Sequence, residues 1–243
     1  MGHEHMMNKW FPGAFIACLL IVILTTAPYA YASPSRVSLK QVLVIDPAHG
    51  GRDAGVRISE KLQEKNVTLA IATALRRELE KSENLTVRLT RDTDRDLSPA
   101  DRVKLVRDWH PDVFIGIHVN AGFGKGASGY ELYFPGFNLP ASPASAAKSE
   151  SQEILQDMTK NKYLNSSVRL AQGIQRQMER VFPRKGRGLR DAPVVILDDL
   201  TIPAVVVEIG FATNTADREK ITDLNTQKAI VKALGNGIKE YFR

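Results

Sequence analysis

Short apolar runs alternate along this chain with longer stretches in which apolar residues recur at helical spacing. Val42, Leu43, Val44 and Ile45 form a wholly apolar run that ends at Asp46-Pro47, the pattern of a strand buried on both faces. A glycine-rich loop through Gly50, Gly51 and Gly55 follows. From Asn66 to about Lys81, the positions Val67, Leu69, Ala70, Ala74, Leu75 and Leu79 predict a helix, and residues 85–90 return to extended character. Ser98-Pro99-Ala100-Asp101 predicts the next helix start, with Ser98 as cap, Pro99 in the first turn and an acid at the third position. That helix should end near His110-Pro111, and residues 113–119 read as another buried strand.

The second half continues the rhythm. Residues 128–134 predict a strand. A helix is expected over 166–182, with Val168, Leu170, Ala171, Ile174, Met178 and Val181 on its apolar side. Two further strands are expected at 194–197 and 204–207, then a last helix capped by Asn225 and reaching Tyr241. The predicted fold class is α/β: a single domain with a mainly parallel, twisted sheet flanked by helices on both faces. About 30 residues between Phe134 and Asn165 break the rhythm, which is long for a connection in a compact domain. Within them residues 149–159 read as a short helix carrying Ile154, Leu155 and Met158 on one side, so a lid or regulatory insertion is expected at about 136–164.

Residues 1–32 read as a signal peptide rather than as part of the fold. Lys9 precedes an apolar centre from Ala14 to Leu24, and Ala30-Tyr31-Ala32 offers the small-x-small pattern of a cleavage site. The apolar run is shorter than the roughly 20 residues a spanning helix needs, so no transmembrane span is expected in the mature chain, residues 33–243. The single Cys18 would leave with the leader. One cysteine excludes both a multi-disulfide scaffold and a cysteine-rich zinc finger. The chain carries 33 Lys+Arg against 27 Asp+Glu, a net charge of +6. On an exported protein that balance points to an acidic wall polymer or anionic lipid, not to nucleic acid.

The polar residues that interrupt this pattern sit at informative places. His49 follows the first strand, His118 ends the third, and Glu208 ends the last. In open α/β sheets ligands bind outside the carboxyl ends of the strands, so these three can converge. Glu64, in the loop before the first helix, is a fourth candidate, although spacing alone does not separate it from Glu60. Two imidazoles and a carboxylate form a zinc-hydrolase ligand set, and a second carboxylate supplies a general base. The glycine-rich stretch from Gly50 to Gly55 lacks both the P-loop and the dinucleotide spacing.

Four ordered blocks carry a family resemblance: residues 42–51 (VLVIDPAHGG), 64–67 (EKNV), 117–120 (IHVN) and 203–214 (PAVVVEIGFATN). They resemble the zinc-dependent N-acetylmuramoyl-L-alanine amidases of bacterial cell-wall turnover, the family often designated amidase type 3. The likeness runs from about Gln41 to the C-terminus. It implies one Zn2+ ion bound by His49, Glu64 and His118, with Glu208 as the catalytic carboxylate, and hydrolysis of the amide between the lactyl group of muramic acid and L-alanine. The implied location is exported, periplasmic or extracellular, on the cell wall, with peptidoglycan as substrate. Arg187 and Arg190 are candidates for holding stem-peptide carboxylates by charge-assisted hydrogen bonds. Some relatives carry an inserted helix that covers the zinc until an activating partner displaces it, which makes Glu150 and Glu153 candidate regulatory residues here. The family usually has Gly where Ala48 stands, a departure that matters only if the position needs a positive φ. The alternatives are a zinc peptidase acting within the stem and a non-catalytic wall-binding module.

Overall fold

In a computed structural model the described residues are 40–124, 126–136, 150–183, 188–191, 194–198 and 200–243. The expected leader and the centre of the expected insertion, residues 137–149, lie outside them, as does Arg187. The strands are β1 (Gln41–Pro47), β2 (Leu85–Leu89), β3 (Val113–Asn120), β4 (Glu131–Phe134), β5 (Leu189–Asp191) and β6 (Ala204–Phe211). The helices are α1 (Glu64–Leu79), α2 (Pro99–Trp109), α3 (Glu150–Met178), α4 (Val195–Asp198), α5 (Thr215–Thr222) and α6 (Leu224–Tyr241).

One sheet runs in the order β2-β1-β3-β6-β4-β5. Every neighbouring pair is parallel except β4 with β6. The fold is therefore the expected single α/β domain with a mostly parallel sheet. Side-chain alternation divides the core in two. Leu43, Ile45, Ile115, Ile117, Val205 and Val207 join Leu75 of α1, Ile174 of α3 and Leu234 of α6 on one face. Val44, Phe114 and Val206 join Val103 and Val106 of α2 and Leu197 of α4 on the other. Period-2 alternation with both faces apolar explains why the central strands read as unbroken hydrophobic runs.

Several elements differ from the sequence expectation. The segment 194–197 is not a strand: α4 occupies it, closed by Leu197 N–H to Val194 C=O at 2.7 Å, and the added strand is β5 at 189–191. Four apolar residues carry no period that separates one helical turn from a strand. The short helix expected at 149–159 and the helix at 166–182 are one 29-residue helix, α3. Nothing between Glu150 and Gln172 is Gly or Pro, so the backbone has no reason to stop. Asp223 rather than Asn225 caps α6, accepting Thr226 N–H at 2.7 Å. The polar α5, capped by Asn214, precedes it without an apolar stripe to announce it. Ser98 caps α2 as expected, accepting Asp101 N–H at 3.1 Å. Among the described residues no helix is long and apolar enough to cross a membrane.

Candidate metal centre and active site

The three candidate ligands come from three elements that meet at the carboxyl edge of the sheet. His49 lies in the loop after β1, Glu64 opens α1, and His118 stands near the end of β3. One donor atom from each lies within 4.8 Å of the others. Glu64 is the centre of the group and is only 1% exposed. Its Oε2 faces His49 Nε2 at 3.0 Å and its Oε1 faces His118 Nδ1 at 3.4 Å. The two oxygens also accept backbone N–H groups, Oε2 from Val56 at 3.0 Å and Oε1 from Val119 at 2.9 Å. Burial pushes this carboxyl up, but hydrogen bonds from His118, His49 and Val119 outweigh it and hold the group at about 2. Burial likewise works to lower both imidazoles, and the Glu64 carboxylate reverses it so that both rise.

The loop geometry makes this approach possible. His49 adopts φ 61° and is followed by Gly50 and Gly51, also at positive φ. A β-carbon-bearing residue held there is strained, which is common at functional sites. Ala48 is not among the positive-φ residues, so its departure from the family's glycine costs nothing in backbone conformation. Gly55, at φ +66°, leaves the space that the cluster needs: a β-carbon there would lie 2.6 Å from both Glu64 Oε2 and His49 Cδ2. Behind His49, Asp53 Oδ2 pairs with Nδ1 at 2.8 Å. That carboxylate fixes which ring nitrogen faces Glu64. Asp53 was not singled out in the sequence, where it sits four residues past His49 in a loop without a periodic signal.

Glu208 on β6 lies directly across from His118 on β3. Its Oε2 is buried with no hydrogen-bond partner among the described residues. Burial pushes the carboxyl up to about 7, with His118 opposing and Glu64 and Glu131 adding to the rise. Glu131 is a second residue that sequence reading missed. It pairs with Glu208 across β4 and β6, is 3% exposed, and accepts hydrogen bonds from Asn120 Nδ2 at 2.8 Å and the Tyr133 hydroxyl at 2.6 Å. Arg190 reaches the same carboxylate, with Nε 3.7 Å from Glu131 Oε1. The side chains of Glu150 and Glu153 lie outside the described residues.

Two histidines and a carboxylate, beside a second carboxylate whose Oε2 is buried without a hydrogen-bond partner among the described residues, define a site of the kind metal-dependent hydrolases use. The family profile of the N-acetylmuramoyl-L-alanine amidases matches residues 43–240, and the chain belongs to that family. It is an enzyme that hydrolyses the amide between the lactyl group of N-acetylmuramic acid and L-alanine in peptidoglycan. The chain is 32% identical over 202 residues to the N-acetylmuramoyl-L-alanine amidase CwlM of Bacillus licheniformis, covering 82% of this chain and 68% of that one. It is 27% identical over 238 residues to the amidase AmiA of Salmonella typhimurium, covering 90% and 82%. Among solved structures, the catalytic domain of the amidase CwlV from Bacillus (Paenibacillus) polymyxa var. colistinus superposes with a TM-score of 0.64 at 26% identity, covering 83% of this chain and 98% of that domain.

Proposed function

We propose that the amidase works with one zinc ion held by His49, Glu64 and His118, and that Glu208 is its catalytic carboxylate. The observation that carries this is Glu64, sandwiched between two imidazole nitrogens while Asp53 holds the far nitrogen of His49. Such a donor set suits tetrahedral zinc with one position left for water or substrate. When bound, the ion supplies Lewis acidity, lowering the pKa of water toward about 7 and polarising an amide carbonyl.

The chain's own groups then move the proton. Glu208 Oε2, buried and unpartnered, takes a proton from the water whose oxygen adds to the lactyl carbonyl carbon. As the carbon–nitrogen bond breaks, Glu208 returns that proton to the departing L-alanine nitrogen. The products are a lactyl carboxylate on muramic acid and a stem peptide with a free amine. Glu131, beside Glu208, disfavours a second negative charge and so keeps the base ready to hold the proton between the two transfers.

Zinc analysis tests the ligand set. The purified protein is expected to hold one zinc per chain, to lose it in His49→Ala and in His118→Ala, and to keep it in Glu208→Gln. Full zinc occupancy in either histidine variant would remove that residue from the ligand set.

Export through a cleaved leader at residues 1–32 completes the reading, since the substrate lies outside the cytoplasm. The first half of α3 supports a regulatory role for this segment: Ile154, Leu155 and Met158 are 52%, 63% and 64% exposed on it. A stripe of that kind favours a lid or a partner surface over a purely structural helix.

A further inference from the structure

We infer that Arg91 and Arg102 are positioning residues for His49, holding three consecutive backbone carbonyls so that the imidazole is presented to the proposed zinc site, on which this inference rests. The need for them follows from the sheet. Strand β2 ends at Leu89, whose register partner on β1 is Ile45, and Thr90 N–H makes the last bond of that ladder to Ile45 C=O. Beyond it Pro47, Ala48 and His49 run on with no strand at their β2 side. Buried carbonyls there need other donors.

Two guanidinium groups from the segment after β2 supply them. Arg91, 0% exposed, donates from Nε to Pro47 C=O at 3.0 Å and from Nη2 to Ala48 C=O at 2.8 Å. Arg102, 6% exposed, donates from Nη1 to Pro47 C=O at 2.9 Å and from Nη2 to His49 C=O at 2.6 Å. All three carbonyls leading into and through the positive-φ histidine are thereby fixed. Arg91 does one thing more. The same Nη2 reaches Lys65 C=O at 2.9 Å, in the first turn of α1 directly after Glu64. A single guanidinium thus ties the loop that carries His49 to the helix start that carries Glu64.

The choice of arginine is diagnostic. Arg102 is neutralised by Asp46, with Nη1 at 2.5 Å from Oδ1. Arg91 has no ion-pair partner among the described residues, and a buried cation without one is costly. Hydrogen bonds to carbonyls hold it, with the nearby Asp46 and Asp94 carboxylates favouring its charge. Only the planar fork, with several donors in fixed directions, reaches so many carbonyls at once; a lysine ammonium does not.

The test uses the full chain, with Arg91→Lys, Arg102→Lys and, as a remote core control, Ile230→Val. Zinc affinity is measured by competition with a chelator, and cooperative thermal melting reports folding. Folded lysine variants are expected to bind zinc about 10- to 100-fold more weakly than wild type, the usual effect of removing a group that orients a ligand. Their hydrolysis, reduced at limiting zinc, should recover at saturating zinc, while Ile230→Val keeps wild-type affinity. Wild-type affinity in both folded lysine variants would overturn the inference, as would an equal loss in Ile230→Val. Failure of both lysine variants to fold would overturn it too, by assigning the guanidiniums to the fold alone. A wild-type chain that binds no zinc would instead sink the metal site beneath it.

Discussion

Glu208 ties activity to stability through one proton. Its carboxyl stands at about 7 in the folded chain against 4.5 when unperturbed, because burial disfavours the charge. Between those values the native state binds more protons than the unfolded state, so the contribution is stabilising below 4.5 and is lost as pH rises through 7. At about 1.4 kcal/mol per unit, ionising this group costs the metal-free protein about 3 kcal/mol. Glu208→Gln is therefore expected to melt above wild type at pH 8 in chelator, and to lose that advantage at pH 4, while hydrolysis falls by about 10²- to 10⁴-fold. Equal melting temperatures at pH 8 would contradict the burial argument. A cation in the triad favours the carboxylate, so the acid limb of kcat/KM should lie below pH 7.

At this scale the candidate site was legible only in part. His49, His118 and Glu208 drew notice as polar residues closing predicted apolar runs, although in the structure β6 continues past Glu208 to Phe211. Glu64 could not be told from Glu60 by spacing; in the structure Glu64 is buried and Glu60 is exposed. Asp53, Glu131, Arg91 and Arg102 acquire their roles through contacts between elements distant in sequence, which no local pattern encodes.

At the scale of elements, the central strands β1, β3 and β6 were readable because burial on both faces leaves continuous apolar runs. The edge strand β5 was not: it is three residues long and, among the described residues, pairs with β4 alone. Helix α3 carries the prediction that belongs here. Its second half packs in the core through Leu170, Ala171, Ile174 and Met178, whereas its first half exposes Ile154, Leu155 and Met158. The two halves are separable in energetic terms, since removing exposed side chains costs little core. Deleting residues 150–161 is expected to leave a cooperatively folded enzyme that hydrolyses peptidoglycan faster. Unchanged or lost activity in a folded variant would count against a restraining role for this segment.

For the molecule as a whole, the parallel centre of the sheet does the organising. It brings His49, His118 and Glu208 to one edge, with α1 delivering Glu64 to the same place. The positive net charge of +6 suits an enzyme whose substrate is an acidic wall polymer. The proposal that matters most for function is that this edge holds zinc and that Glu208 turns water on the lactyl amide. The measurement that tests it most directly is digestion of purified peptidoglycan, with product mass analysis, before chelation, after it, and after zinc is restored. The account predicts intact stem peptides with free L-alanine amines and glycan with free lactyl carboxyls, lost on chelation, regained with zinc, and absent in Glu208→Ala. Hydrolysis that survives complete removal of metal, or that persists in Glu208→Ala at the wild-type rate, would contradict it.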